Sequence, residues 1–225
     1  MYFYTSKQSR IHYTVMIKIR LSAILYTNTL PFVFGLENSD FRPNGIEINF
    51  DTPAGCAAKV KAGDVDLGLV PIAAMHEIPD VKIISNYCIG ASGNVGSVLL
   101  LSNNPLEEIE KVYLDYQSRT SVKLIKVLDH CFWHHNFKFE DTSTGFETKL
   151  LKPGEGMVII GDRAFDQSKK YKFHYDLAGE WKGFTGLPFV FACWVTNKDL
   201  ESAFVDKFRS EERRVGKECK SRGSP

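Results

Sequence analysis

Short apolar segments with a strand pattern alternate with helical segments along most of this chain. Consecutive strands that are separated by helices pair in parallel through crossover connections, which is the signature of α/β folds. The alternation therefore predicts an α/β protein with mainly parallel sheets. Strand patterns occupy 17–25, 45–50, 66–71, 81–89, 96–102, 112–114, 157–161, 173–177 and 189–195.

Several helices follow these strands closely and carry start or stop signals. Thr52 and Pro53 suit the N-cap and the first turn of one helix, and Gly63 is a typical stop. Thr29 suits the N-cap of a short helix that is expected to end at Gly35. Ser118 can cap a helix running through residues 128–130. Ligands of open α/β sheets bind beyond the carboxyl ends of strands, so the site is expected at these loops.

Length and composition exclude several classes of protein. The chain has 225 residues, of which 44% are hydrophobic and 24% charged. A chain of this length buries roughly 70% of its unfolded surface, so it can fold without disulfide bonds or bound metal ions. No run approaches the roughly 18 apolar residues of a membrane span. The net charge is only +1, and six basic residues fall in 209–225, so neither a membrane nor a nucleic-acid partner is predicted.

Both ends look foreign to the fold. Residues 1–15 lack the features of a secretory signal, and Met16 directly precedes the first strand pattern, so 1–15 is interpreted as an over-extended start. Residues 209–225 begin with RSEERRVGKEC, which resembles the translation of a sequencing adapter. The native chain is therefore expected to be cut short near Phe208.

Cysteine and histidine spacing predicts no metal site. His130 and His134 lie one helical turn apart, but no second pair with zinc-like spacing accompanies them, so this segment is interpreted as an exposed helix end. Cys219 lies in the segment that resembles an adapter, and the remaining four cysteines stand far apart without CxxC spacing. Because no signal peptide is present, they are expected to be reduced thiols in a cytoplasmic protein: Cys56, Cys88, Cys131 and Cys193.

Two polar helix starts carry the most chemistry. Asn28 and Thr29 form one, and Ser118–Ser121 forms the other. A helix N-terminus offers unpaired N–H groups and about half a positive charge, although plain capping is the commoner explanation of either start taken alone. Two such starts suggest a dianionic small molecule held between two sheet edges. Arg119 either clamps a carboxylate or faces outward in a surface ion pair.

Two weaker features accompany them. The Gly90–Ser97 loop lets a ligand approach the backbone but lacks the order of a phosphate-binding loop. Asp162 follows Gly161 at a strand end and is either a catalytic carboxylate or a helix cap. The residues alone therefore indicate a two-lobed α/β protein that binds a small anion, which fits a solute-binding module as well as an enzyme.

A set of motifs resembles the chorismate dehydratase family of the futalosine route to menaquinone. The resemblance covers about residues 16–207. Its fairly specific parts are Asn-Thr-x-Pro-Phe, Ser-Arg-Thr-Ser and Thr-Gly-Leu-Pro-Phe-Val-Phe-Ala, while the Gly-Asp-x-Asp-Leu part is shared with many binding proteins. These motifs stand at 28–32, 118–121, 185–192 and 63–67.

The resemblance implies a fold like that of type II periplasmic binding proteins, with two lobes and a central ligand cleft. Lobe one is expected at 16–98 plus 192–208, truncated at its C-terminus, and lobe two at 99–191. The implied reaction converts chorismate to 3-[(1-carboxyvinyl)oxy]benzoate and water without a cofactor. A substrate carboxylate is a candidate proton acceptor, because no strong side-chain base is visible.

The resemblance also implies roles for particular residues. Asn28 hydrogen-bonds near the departing hydroxyl, and Ser97 is the second catalytic candidate, holding a carboxylate with the 118–121 helix start. Two alternatives stay open: a solute-binding protein without catalysis, and the related enzyme of the same pathway that forms dihydroxynaphthoate. The substrate-binding candidates are Thr29, Ser118, Arg119, Thr120, Ser121, Gly161, Asp162, Thr185 and Gly186.

Overall fold

The fold was analysed in a computed structural model that describes residues 18–24, 29–37 and 46–210. Within these residues ten strands form two sheets. The strands are β1 (Ile19–Ile24), β2 (Ile46–Asp51), β3 (Leu67–Pro71), β4 (Lys82–Ala91), β5 (Val98–Ser102), β6 (Lys111–Leu114), β7 (Lys138–Asp141), β8 (Glu155–Ile160), β9 (Phe173–Asp176) and β10 (Phe189–Thr196). The α-helices are α1 (Leu30–Glu37), α2 (Pro53–Ala62), α3 (Arg119–Leu128), α4 (Asp162–Ser168) and α5 (Leu177–Thr185), and 202–210 is also mainly helical.

Both sheets are mixed. The strand order is β2-β1-β3-β10-β4 in the first sheet and β7-β6-β8-β5-β9 in the second. β1 is parallel to β2 and β3, and β6 is parallel to β7 and β8. β10 and β5 are antiparallel to both of their neighbours. The α/β prediction is confirmed, but the expectation of mainly parallel sheets is wrong, because β5 and β10 each enter after the chain has crossed from the other sheet.

The chain crosses between the sheets through residues 92–97 and 186–188. Val98 pairs with Ile160 in the second sheet, whereas Phe189 pairs with Ala91 in the first. β10 nevertheless contacts the hydrophobic cores of both sheets. Phe189 packs against the core of the second sheet, while Trp194 is buried in the core of the first sheet. The strands change sheet close to the lobe limits expected at 98 and 191, and those limits stay a prediction.

The helix signals are confirmed at α2 and at the start of α3. The Thr52 side chain accepts a hydrogen bond from the Gly55 N–H, and Gly63 ends α2 with a φ of 77°. Ser118 accepts from the Ser121 N–H, as an N-cap does. The expected helix ends are less accurate. α1 continues past Gly35 to Glu37, and α3 stops at Leu128, where a π-helical turn over Asp129–Trp133 follows.

The two predicted foreign ends lie mostly outside the described residues, since 1–15 and 211–225 are not described. Arg209, the first residue of the predicted foreign tail, is described, and its Nε donates to the Ile84 carbonyl at 2.7 Å. Among the described residues no helix is both long and apolar enough to cross a bilayer.

The four cysteines named above are free thiols. Burial raises the pKa of both Cys56 and Cys193 to about 11, which keeps these two protonated at neutral pH.

The carboxylate of Asp176 attaches the first crossing segment to the second sheet. It accepts from the Val95 and Gly96 N–H groups at 2.8 and 2.7 Å, and from the Ala178 and Gly179 N–H groups at 3.1 Å each. One side chain therefore caps α5 and holds the segment that leads into β5.

Removal of this carboxylate is expected to destabilise the protein. Asp176→Ala leaves four backbone donors without their acceptor and should lower the free energy of unfolding by about 2–3 kcal/mol. Urea denaturation followed by circular dichroism measures the loss. Asp199→Ala is the matched control, since that side chain is 95% exposed and its removal should leave stability nearly unchanged. Equal losses in the two variants would contradict this role of Asp176.

Candidate functional site

A cavity of about 550 Å³ lies between the two sheets. Its walls include the last residues of β1, β3 and β8, namely Ile24, Pro71 and Ile160, together with the start of α3. The carboxyl ends of parallel strands from both sheets thus face one crevice, which is where ligands of α/β sheets bind. The volume suits a small organic molecule.

Seven of the eleven predicted site residues line this cavity. The sequence prediction that the strand-to-helix loops converge on one place therefore agrees with the observed geometry, although the roles of the residues stay proposals. The seven are Ser97, Ser118, Arg119, Thr120, Ser121, Gly161 and Asp162.

The other four candidates are not placed in the lining. Asn28 lies outside the described residues, and Thr29 is buried at the start of α1. Thr185 and Gly186 close α5 instead: the Thr185 hydroxyl donates to the Trp181 carbonyl at 2.8 Å, and Gly186 has the positive φ of a helix C-cap. The structure does not bring Thr185 and Gly186 to the cavity, because their positions are set by the end of a helix.

The start of α3 presents hydroxyl groups and backbone donors to the cavity. The Ser118 hydroxyl donates to the Ser121 Oγ at 2.8 Å and accepts from the Ser121 N–H at 3.1 Å. Because this exchange occupies the Ser118 proton, the Ser121 hydroxyl keeps its own proton for a ligand. The Thr120 hydroxyl is 3.4 Å from the Phe191 carbonyl. A carboxylate placed here would meet hydroxyl donors together with the positive end of a helix.

Arg119 joins the start of α3 to a turn that follows a strand of the first sheet, through an ion pair. Its guanidinium contacts the Glu77 carboxylate, which belongs to the turn after β3. Beside it, the Lys123 Nζ donates to the Ala73 carbonyl at 2.8 Å. The Arg119 hydrogen bond lowers the pKa of Glu77, so the pair persists to a pH below that at which a free glutamate protonates. Of the two alternatives for Arg119, this structure has the ion pair.

Three residues around the site escaped the sequence analysis. Gln117 and Arg163 line the cavity, and Asp115 lies behind it with a fully buried side chain. The Arg163 Nη2 donates to both oxygens of Asp115, at 2.9 and 2.7 Å. The sequence signal that could have identified Asp115 is its position directly after the 112–114 strand and shortly before a helix start. Its partner stands 48 positions later and carried no local signal.

Apolar groups form the rest of the cavity wall. Ile89, Val98 and Phe191 line it together with the strand ends named above. A hydrophobic ring can lie against this wall while its charged substituents reach the polar loops. The cavity therefore combines a surface for an unsaturated ring with at least one place for a carboxylate.

The described lining contains a single carboxylate, Asp162, which is too few ligands for a metal ion of the usual kinds. Nor does any group of three histidine, cysteine or acidic side chains that could hold a metal ion occur elsewhere in the described residues. In the segment that was interpreted as an exposed helix end, the His135 ring stacks on Phe137 at 5.5 Å. The chemistry of the described wall is hydrogen bonding, helix polarity and apolar contact.

Comparisons with known proteins point to one family. A family model described as menaquinone biosynthesis matches residues 19–218. The chorismate dehydratase of Thermus thermophilus is 28% identical over 214 residues, covering 83% of this chain and 78% of the relative.

Solved structures agree on the fold. Protein AF1704 from Archaeoglobus fulgidus aligns with a TM-score of 0.66 at 11% identity, over 88% of this chain and 75% of that one. The periplasmic aliphatic sulphonate binding protein SsuA from Escherichia coli aligns with a TM-score of 0.61 at 13% identity, over 91% and 74%. At such identities the likeness shows the fold alone, which is that of periplasmic binding proteins.

Proposed function

Since this chain belongs to the menaquinone biosynthesis family, we propose that it is a chorismate dehydratase, a carbon–oxygen lyase that converts chorismate to 3-[(1-carboxyvinyl)oxy]benzoate and water. The observation that carries the proposal is the polar start of α3, which faces an apolar cavity between two sheets. Chorismate matches that arrangement, because it has a cyclohexadiene ring and two carboxylates.

The reaction is an elimination that the enzyme drives mainly by binding. The hydrogen on the ether-bearing ring carbon leaves as a proton, and its bonding electrons enter the ring while the neighbouring carbon–hydroxyl bond breaks. The departing hydroxide takes a proton and leaves as water, and the ring becomes benzene. Since aromatisation favours the product, the protein has to hold the eliminating geometry and to stabilise developing charge.

The described residues divide these tasks between them. The Ser121 hydroxyl and the first N–H groups of α3 bind one carboxylate together with Ser97, which lines the same cavity. Ile89 and Phe191 confine the ring. A substrate carboxylate accepts the proton in this proposal, and Asp162 is the one acidic side chain in the described part of the lining.

Incubation of the purified protein with chorismate tests the proposal. Mass spectrometry should detect a product 18 mass units lighter than chorismate, the mass of one water, and its aromatic absorbance should rise at the rate at which chorismate disappears. Heat-denatured protein is the control for spontaneous decay. Calorimetric binding without turnover would instead support a solute-binding protein, and neither binding nor turnover would remove chorismate as the ligand.

Asn28→Ala is expected to reduce turnover far more than stability. In the proposed mechanism this amide stabilises the departing hydroxyl, and loss of one such donor costs about 10²–10³-fold in kcat. The test pairs steady-state kinetics on chorismate with a thermal unfolding curve of the same preparation. Wild-type activity in the variant would refute the role of Asn28. A large fall in melting temperature would assign it a structural role.

The remaining properties proposed here follow from the same activity. A hydro-lyase of this kind needs no redox cofactor, and its only predicted partner is the small-molecule substrate. The cytoplasmic location stays a prediction, consistent with the family to which the chain belongs.

A further inference from the structure

A buried carboxylate ties together the two loops that carry most of the polar cavity wall. The Asp115 side chain is fully buried. Its Oδ1 accepts from the Gln117 N–H at 2.9 Å, and its Oδ2 accepts from the Ile160 N–H at 3.0 Å. The first contact shapes the loop between β6 and α3, and the second fastens this loop to the end of β8.

Arg163 completes the connection from the other side. A single nitrogen, Nη2, contacts both Asp115 oxygens and also donates to the Gln117 Oε1 at 3.0 Å. The guanidinium lies 5.4 Å from the Tyr116 ring centre and 5.9 Å from that of Phe146, so aromatic contacts restrict its movement. The loop that leads into α3 is therefore attached to the start of α4.

The same pair sets the charge behind the start of α3. A buried carboxylate without a partner is costly and would repel an anion bound nearby. Arg163 offsets the charge of Asp115, which it contacts at 2.7 Å, and also contacts Glu147 at 3.4 Å, so it reduces the negative charge behind the positive end of α3. Loss of Arg163 would therefore disturb both the direction in which the α3 start points and its attraction for a carboxylate.

We propose that Arg163 is a positioning residue, which holds the 115–121 segment through Asp115 and Gln117 so that the start of α3 accepts a carboxylate of the ligand. This inference rests on the proposed function for the identity of that ligand. It assigns Arg163 a role in binding rather than in bond breaking. The Michaelis constant should therefore respond to its loss more than kcat does.

Two substitutions and a control test the role. Arg163→Gln removes the charge and should raise KM for chorismate at least tenfold while kcat falls less than threefold. Arg163→Lys should return KM to within threefold of wild type, because the three hydrogen bonds to Asp115 and Gln117 come from one nitrogen, which an ammonium group can replace. Only the longer contact of Nη1 with Glu147, at 3.4 Å, is then lost. Arg20→Gln is the control: it breaks the pair with Asp66, near the opposite ends of the first-sheet strands, and should leave KM unchanged.

A double variant covers the outcome that Arg163→Gln does not fold. Asp115→Asn with Arg163→Gln removes both charges, so that Asp115 is not left as an unpaired carboxylate in the interior. The Glu147 side chain, which loses its 3.4 Å contact with the Arg163 Nη1, is 19% exposed, and the variant should fold with KM still raised because the Arg163 contacts are absent. A wild-type KM in Arg163→Gln or in the double variant would overturn the inference. A fall in kcat alone would overturn it as well, because that result marks general destabilisation.

Hydrogen–deuterium exchange separates this inference from the proposed function. Without any ligand, peptides covering 115–121 should exchange faster in the stably folded charge-removed variant, Arg163→Gln or the double variant, than in wild type and in Arg163→Lys. Unchanged exchange in that segment would overturn the positioning role whether or not chorismate is turned over. Failure of wild-type protein to bind or consume chorismate would overturn the proposed function, and the exchange result would still decide the role of Arg163.

Discussion

Ser121→Ala should weaken the binding of chorismate by about 10–100-fold, which corresponds to loss of one hydrogen bond to a charged group, worth about 1.5–3 kcal/mol. The Ser121 hydroxyl lines the cavity, and the proton of its neighbour Ser118 is already directed at the Ser121 Oγ. The Ser121 proton is therefore the one available to a carboxylate. Isothermal calorimetry on wild type and variant, with chorismate or with the aromatic product, measures the change.

A second buried serine, at the end of β5, provides the control. Ser102 is fully buried, and its hydroxyl donates to the Glu155 carbonyl at 2.9 Å, at the end of β5 that points away from the cavity. Ser102→Ala should lower stability slightly and leave affinity unchanged. Similar affinity losses in the two variants would mean that the effect of Ser121→Ala spreads through the fold rather than acting at the ligand.

Trp194→Ala should lower the free energy of unfolding by about 3–5 kcal/mol, the usual cost of truncating a large buried aromatic side chain. Trp194 is completely buried in β10, the strand between β3 and β4, and its ring packs edge-on against Phe208 at 5.6 Å. Since small proteins are stable by only about 5–15 kcal/mol, this loss takes a large share of the total. Chemical denaturation followed by far-ultraviolet circular dichroism measures it.

An exposed apolar residue gives the comparison for Trp194. Leu150 is 88% exposed, and Leu150→Ala should change stability by less than about 0.5 kcal/mol. Trp194→Phe should fall between the two, because it keeps an aromatic ring and removes an indole N–H that is buried without a hydrogen-bond partner among the described residues. An unfolding free energy for Trp194→Ala within 1 kcal/mol of wild type would show that β10 is not central to the first core.

Capping and turn residues in the sequence predicted those helices whose ends depend on contacts between residues close together in the chain. Thr52, Pro53 and Gly63 bounded α2, because capping and the left-handed turn are contacts within a few positions. β7 (Lys138–Asp141) was missed because three of its four residues are charged and give no apolar alternation. The apolar run of β10 predicted a strand but not its direction, which depends on the crossing of the chain between the sheets.

The same distinction applies to the site. Ser118–Ser121 was predicted because a strand end, a cap and a helix start adjoin in the sequence. Arg163 and Glu77 were missed, since their partners Asp115 and Arg119 stand more than forty positions away and only the fold brings them together. Thr185 and Gly186 had entered through family resemblance alone, and their local chemistry is that of a helix end.

A crystal structure of this protein with the aromatic dicarboxylate product tests the central claim most directly. The account predicts the product in the crevice between the two sheets, its ring against Ile89 and Phe191 and one carboxylate within about 3 Å of the Ser121 Oγ and the first N–H groups of α3. A product molecule bound outside this crevice, or inside it with both carboxylates turned away from α3, would contradict the account.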